Sequence, residues 1–398
     1  MTVVALVGAG TSACQRAVPP FPSPVRSSCA APPSPSEPST PAHDPGQRDH
    51  AARVAWVHAP AADRAELDGW CAGVGPAVVQ PAHIADTVIT APRLEQLVVV
   101  SWNTNVGGGD LHGLVDDLRA GRLTGGDRTT HFVLLLQEVF RAGAQVPRGM
   151  ATRPRRIAPH PRDGERHDVL DVATRHGLHL FYVPSMANGW DGPTHHAEDR
   201  GNAILSTLPL SGLTAIELPF EGQRRVAASA TLMATGADGH RVALRVVSVH
   251  LDNRSGLRRV LHSFGRGRTR QAESLAAALR SDSTAPVPTV LAGDLNTWAP
   301  AAWERAVRVL RAHFPHGNDL RAPTFAGPPM GLGRTLDHMM FHLPSDPPPS
   351  AQGAEAGEHA VEPRRGPTFA PPRAVRLDDA RGSDHYPLFT RLSLIHDR

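Results

Sequence analysis

Lysine is absent from this chain, so all 41 basic residues are arginine, and the formal net charge is only +3. An excess that small excludes a chain built as a polycation. The arginine preference itself has two readings. It reflects GC-rich codon usage, or it serves bidentate contact with phosphate, for which the planar guanidinium is suited. Cysteine is nearly absent too: Cys14, Cys29 and Cys71 all precede the first strong strand signal, which excludes a disulfide framework or a thiolate metal site in the rest of the chain. No run approaches the roughly 18 apolar residues of a spanning helix, so no transmembrane segment is expected. Glycine-rich phosphate loops, serine elbows and internal repeats are likewise missing.

Hydrophobic residues make up 40% of the sequence, enough for a substantial core. Residues 3–13 (VVALVGAGTSA) end at Cys14 and are similar to the tail of a secretory signal with a lipoprotein-type cysteine. That reading predicts export and a lipid anchor at Cys14, with a start upstream of Met1 supplying the missing basic region. The other reading is an Ala- and Val-rich disordered terminus, with a cytoplasmic protein. The stretch to residue 50 is so rich in Pro and Ser that it cannot bury enough apolar surface to order itself. The expected division is therefore a tether over 1–50, an N-terminal appendage of helical character over 51–94, carrying Trp56 and Trp70, and a main domain over 95–398.

From about residue 95 the chain alternates short apolar runs with a few helical patterns. Strands are expected at 97–102, 131–137, 178–183, 202–206, 226–234, 242–250, 287–293, 335–342 and 386–394, because such short, β-branched runs suit buried strands. Helices are expected at 110–120, 268–280 and 300–313. Two stacked sheets flanked by helices satisfy this pattern. Arg- and Pro-rich residues 141–176 and Pro-, Gly- and Glu-rich residues 344–372 read as long inserted loops.

Polar residues recur where the strands end. LAGDLN (291–296) closes an apolar run with Asp294 and Asn296, whose i, i+2 spacing aims both side chains in one direction. Such a pair holds a water and donates to an anion. Asn103 and Asn105 repeat that spacing after LVVVSW. Glu138 ends LLLQE, and a strand-end carboxylate suits a hard, oxygen-seeking cation such as Mg²⁺. His250 ends VVSVH, Asp337 and His338 lie in TLDH, and Ser383, Asp384 and His385 precede the last strand. Each alone reads as structural; six such ends together point to a site. His195, His196, Glu198 and Asp199 read either as a second metal cluster or, preferably, as an exposed loop. Gly107–Gly109 reads as a phosphate nest or a tight turn, Trp190 and Trp298 as stacking surfaces for a base or sugar, with Trp298 preferably packing under the turn, and His338 as packing or surface.

WNTN (102–105), LLLQE (134–138), RGNAILS (200–206), VSVHLDN (247–253), GDLN (293–296), TLDH (335–338) and SDHYPL (383–388) together resemble the endonuclease/exonuclease/phosphatase (DNase I-like) superfamily over about 95–395. GDLN followed some ninety residues later by SDH is the specific part. The resemblance implies a four-layer α/β/β/α sandwich of two mostly antiparallel sheets, acting as a monomer and hydrolysing phosphate esters with Mg²⁺ or Mn²⁺. Carried over position by position, it implies Glu138, Asn105 and Asp384 around the metal and Asp294 as the residue activating water. Asn103 and Asn296 would donate to phosphoryl oxygens, with His385 charged and oriented by Asp337. Asn253 and Arg200 would contact substrate phosphate. Asn105 stands where several relatives have Asp. His250 departs from apurinic endonucleases, which carry Tyr there, and agrees with nuclease, lipid and inositol phosphate members. A nuclease-like phosphodiesterase is the first expectation, a lipid or inositol phosphate hydrolase the second, and a non-catalytic binding module the third.

Overall fold

The computed structural model of the chain describes residues 54–82, 91–147, 165–188, 197–236, 239–253, 265–281, 287–298, 303–317, 320, 322–327, 334–343 and 373–392. Cys14, Cys29, Trp190, His195, His196 and the expected insertion over 344–372 lie outside the described residues.

Among the described residues thirteen strands form two sheets. In chain order they are β1 (Ala55–Val57), β2 (Val78–Gln80), β3 (Leu97–Asn103), β4 (His131–Ala142), β5 (His179–Asn188), β6 (Glu198–Ser206), β7 (Ser211–Glu217), β8 (Val226–Thr235), β9 (Arg241–His250), β10 (Thr289–Asp294), β11 (Asp337–His342), β12 (Val375–Arg376) and β13 (Leu388–Arg391). The six-stranded sheet runs β1-β7-β8-β9-β10-β11 and the seven-stranded sheet β12-β13-β3-β4-β6-β5-β2. Both sheets are mixed: β1–β7, β9–β10 and β3–β4 pair parallel, and the remaining neighbours antiparallel. Five α-helices accompany them among the described residues: α1 (Arg64–Cys71), α2 (Leu111–Ala120), α3 (Val169–His176), α4 (Arg266–Ser281) and α5 (Arg305–His313).

The strands read as near-continuous apolar runs because both faces of each sheet are covered. Val99, Val133, Leu135, Phe181 and Ile204 of one sheet meet Ala228, Ala230, Val246, Ala292 and Phe341 of the other in the central layer. Their alternate neighbours Val98, Val100, Leu134 and Leu136 turn outward against Leu111, Leu114, Val115 and Leu118 of α2 and Val169 and Val172 of α3. On the opposite surface Val247, Val249, Leu291 and Met340 pack on Leu275 and Leu279 of α4 and Val307 and Leu310 of α5. The result is the four-layer α/β/β/α sandwich.

Four strands, β1, β2, β7 and β12, go beyond the nine expected. Three of them are two or three residues long, too short for any periodicity to register, and β7 follows so closely on Ser206–Leu210 that it reads as loop. Residues 54–82 do more than form a helix. Their β1 extends one sheet beside β7 and their β2 the other beside β5, each closing an open edge. Between them α1 brings Arg64 to the fully buried Glu217, which also accepts from Arg224 Nε at 2.8 Å.

Candidate active site

One end of the sandwich gathers the strand-end residues, and the pairing register explains how. Parallel pairing of β10 with β9 sets Asp294 beside His250, and antiparallel pairing with β11 sets Asp294 beside Asp337. Gly293 permits this close approach: a Cβ there would lie 1.8 Å from the Val249 carbonyl oxygen. In the facing sheet β3 ends at Asn103 next to Gln137 of β4. Glu138 follows at a bulge where two residues of β4, Gln137 and Glu138, oppose Asn202 of β6.

Among the described residues, positive φ at non-glycine positions is confined to this end of the molecule. Five non-glycine residues have positive φ: Asn105 (48°), Val106 (57°), Glu138 (52°), Asn296 (51°) and Arg381 (51°). Asn105, Val106 and Asn296 stand just past the ends of β3 and β10, Glu138 stands at the bulge within β4, and Arg381 lies in the loop leading to His385. Left-handed conformations cost energy for residues with a Cβ and collect where function fixes a side chain.

Asp294 is the hub. Its Oδ1 accepts from the Asn296 backbone N–H at 2.8 Å and its Oδ2 from Asn103 Nδ2 at 3.0 Å. His250 Nε2 lies 3.5 Å and His385 Nε2 3.8 Å from that same Oδ2. Burial pushes the Asp294 carboxyl up to about 7, against the opposing pull of His385, with Asp337 adding to the rise. His385 Nδ1 meets Asp337 Oδ2 at 2.8 Å. Burial alone would discharge this imidazole, but Asp337 and Asp294 outweigh it and hold the ring charged up to about 10. His250 is the opposite case: burial, reinforced by Arg225, Arg200 and His385, holds it well below the ordinary range and therefore neutral. Its Nε2 contacts Asn296 Nδ2 at 3.0 Å, and its Nδ1 lies 3.8 Å from Glu138 Oε1. Arg200, buried, donates to Glu138 Oε2 at 3.1 Å.

The structure thus unites Asp294, His385, His250, Asp337, Asn296, Asn103, Glu138 and Arg200. Asn105 stands beside them, its backbone N–H donating to Asn103 Oδ1 at 3.0 Å. Asp384 lies at the mouth, 40% exposed, with Oδ1 3.9 Å from His385 Nε2. Asn253 is exposed, three residues beyond His250, and is not drawn into this network. Asn296 and Asn103, expected as donors to phosphoryl oxygens, have their amide nitrogens engaged on His250, the Leu251 carbonyl and Asp294.

Other readings are resolved by contacts. Among the described residues Glu198 and Asp199 belong to no metal-holding group, and they lie in β6 rather than in an exposed loop. Asp199 is fully buried, accepting from Tyr182 Oη at 2.8 Å and paired with Arg141, while Glu198 accepts from Arg166 Nη2 at 2.8 Å. Gly107–Gly109 is a packed turn: all three N–H groups bond within the 104–109 segment, and a Cβ on Gly107 would meet the Phe140 ring. His338 is buried, with Nε2 2.7 Å from Thr297 Oγ1. Trp298 packs edge-on to Phe325 and beneath Arg334.

Sequence reasoning missed Thr324 and gave no role to Ser383 or Trp102, which it noted only within their motifs, yet these three hold the acid–base pair in place. Thr324 Oγ1 accepts from the backbone N–H of Asp337 at 3.0 Å, Ser383 Oγ bridges the Asn103 carbonyl and the His385 N–H, and Trp102 Nε1 donates to the His385 carbonyl at 2.9 Å. Hydroxyls and an indole within ordinary strands and turns carry no spacing signal.

Residues 100–385 match the profile of the Endonuclease/Exonuclease/phosphatase family. The chain belongs to that family. No curated protein sequence matches it. Among solved structures it is similar to an endonuclease/exonuclease/phosphatase from Beutenbergia cavernae (19% identity, 75% of this chain and 71% of that one, TM-score 0.46). It is similar also to the human Nocturnin catalytic domain (16% identity, 77% and 97%, TM-score 0.44) and to sphingomyelinase C from Streptomyces griseocarneus (18% identity, 74% and 98%, TM-score 0.42).

Family members typically use divalent metals, and two groups here offer donors. Asp294, Asp337 and His385 have ligand atoms within 4.8 Å of one another. A cation among them would have to displace the His385–Asp337 hydrogen bond. The Glu138 side fits better. Burial raises the Asp384 carboxyl, with His385 opposing the rise and Glu138 adding to it. The carboxylates of Glu138 and Asp384 and the amide of Asn105 are of the hard-oxygen donor types that Mg²⁺ or Mn²⁺ takes.

Proposed function

We propose that the chain is a divalent-metal-dependent phosphodiesterase, nuclease-like in its chemistry, with Asp294 as general base. The observation that supports this most is the Asp294 carboxylate, locked by Asn296 and Asn103 and brought by burial to about 7. A base titrating near the working pH is the most effective kind. Asp294 takes a proton from water as the water oxygen bonds to phosphorus and the ester P–O bond breaks. The His385 imidazolium, fixed by Asp337, lies 3.8 Å from the same carboxylate oxygen. It stabilises negative charge developing on the phosphoryl group and supplies a proton to the departing oxygen. Neutral His250, held by Asn296, hydrogen-bonds the phosphoryl group. Glu138, Asn105 and Asp384 would hold Mg²⁺ or Mn²⁺, which when bound neutralises phosphoryl charge.

Purified protein should hydrolyse bis-p-nitrophenyl phosphate in Mg²⁺ or Mn²⁺ and lose that activity with chelator. Folded Asp294→Ala protein with full activity would refute the assignment. A panel of plasmid DNA, RNA, sphingomyelin and inositol phosphates identifies the substrate class.

A further inference from the structure

A guanidinium is buried cheaply only against an acceptor or an anion. Five arginines are buried among the described residues. Arg141 pairs with Asp199, Arg200 with Glu138 and Arg224 with Glu217, while Arg245 donates to the Leu279 carbonyl near the end of α4. Arg225 is the exception. It is 4% exposed, its Nε is sequestered without an acceptor, and its side chain has no ion pair or hydrogen bond among the described residues.

Its place in the fold says what is missing. Arg225 immediately precedes β8, and the β8–β9 register pairs Ala227 with Val249, so Arg225 reaches the level of the His250 strand end. Its charge bears on both His250 and Arg200. Strand order then polarises the mouth. Asp294, Asp337, Asn103 and His385 occupy β10, β11, β3 and the approach to β13, on one side of the Glu138–His250 centre. Arg225 and Arg200 occupy β8 and β6, on the other.

We propose that Arg225 is a phosphate-binding residue, its guanidinium taking oxygens of a substrate phosphate on the side of the site opposite the Asp294–His385 pair. The inference deepens the phosphodiesterase reading and rests on it for the identity of the anion. The phosphate is either the one being cleaved or a second one carried by the same substrate.

Inorganic phosphate binding, measured calorimetrically, tests this without turnover. Arg225→Gln should weaken it about ten-fold or more, the loss expected when a charge-assisted hydrogen bond disappears, and Arg225→Lys should recover part of it. Removing an unpartnered buried cation should also raise the melting temperature of ligand-free protein in Arg225→Gln and Arg225→Met. Unchanged phosphate affinity in folded Arg225→Gln, or a lowered ligand-free melting temperature or failure to fold in either variant, would overturn the inference. Thymidine 5′-(p-nitrophenyl phosphate), with and without a 3′-phosphate, separates the two sources. Equal loss of kcat/KM on both compounds marks the cleaved phosphate, and loss confined to the 3′-phosphorylated compound marks the second. Phosphate binding that depends on Arg225 in a protein that hydrolyses no ester would sink the phosphodiesterase reading and leave this one standing.

Discussion

His385 Nδ1 lies 2.8 Å from Asp337 Oδ2, and the ring's other nitrogen lies 3.8 Å from Asp294 Oδ2, so one imidazole spans two carboxylates on adjacent antiparallel strands. It stays charged because both flank it, and the two aspartates tolerate each other because it lies between them. Removing any of the three should therefore change the protonation of the others. For Asp337→Asn, the His385 titration followed by NMR should fall from about 10 toward the ordinary imidazole range, with loss of activity at alkaline pH. A His385 titration left in place would show that Asp337 only packs.

Asp294 sets the acid limb. Because the base must be ionised, kcat/KM should decline about ten-fold per unit below pH 7, following a carboxyl brought up to about 7. A profile flat down to pH 5 would exclude Asp294 as the base.

The same shift has a consequence for stability. The folded-state value lies above the unfolded one, so the stabilising contribution is complete below the unfolded value and is lost as pH rises through about 7. Asp294→Asn should consequently melt higher than the parent at pH 8, with little difference at pH 3.5, while activity drops about 10²–10⁴-fold. Thermal scans at the two pH values check the sign.

Glu138→Gln should abolish both Mg²⁺-supported hydrolysis and the rise in melting temperature on adding Mg²⁺ or Mn²⁺. It also leaves buried Arg200 without its carboxylate. Ligand-free stability should fall by on the order of 1–3 kcal/mol, read from urea midpoints.

Arg224→Ala leaves Glu217, fully buried, with Arg64 as its remaining arginine partner. Breaking a buried pair of this kind costs about 3–5 kcal/mol, so chemical denaturation should show a large loss. Arg225→Gln, one residue away, should show none.

The layers were legible in the sequence because β-strands buried on both faces leave unbroken apolar runs, as in LVVVSW and HFVLLLQ. Much of the site was legible because Asp294 and His250 close long apolar runs; Glu138, expected to end its run too, instead sits at a bulge within β4, which continues to Ala142. What the sequence hid lacks such a frame. β1 and β2 are three residues each and exist only because edges of β7 and β5 are open to them. Asp199 looked like part of a polar loop because its partners Arg141 and Tyr182 are remote in sequence and their contact comes only with sheet pairing. Thr324 holds the acid–base pair through a single hydroxyl, which no spacing announces, and Ser383, though visible beside Asp384 and His385, gave no sign of bridging the Asn103 carbonyl and the His385 N–H.

The bulge at Glu138 has a counterpart. Strand β5 carries its own slip at Ser185, between Pro184 paired with Gly201 and Met186 paired with Arg200, so β6 is flanked by an extra residue on both sides within the span Arg200–Ala203. Gly201 is confined there, since a Cβ would lie 2.0 Å from the Val183 carbonyl oxygen. A single-residue insertion or deletion in any of these three strands would exchange inward and outward faces beyond it. Glu138 and Arg200 would then be parted even with every functional side chain retained. Strand length, more than residue identity, is what variation in this region is least free to alter.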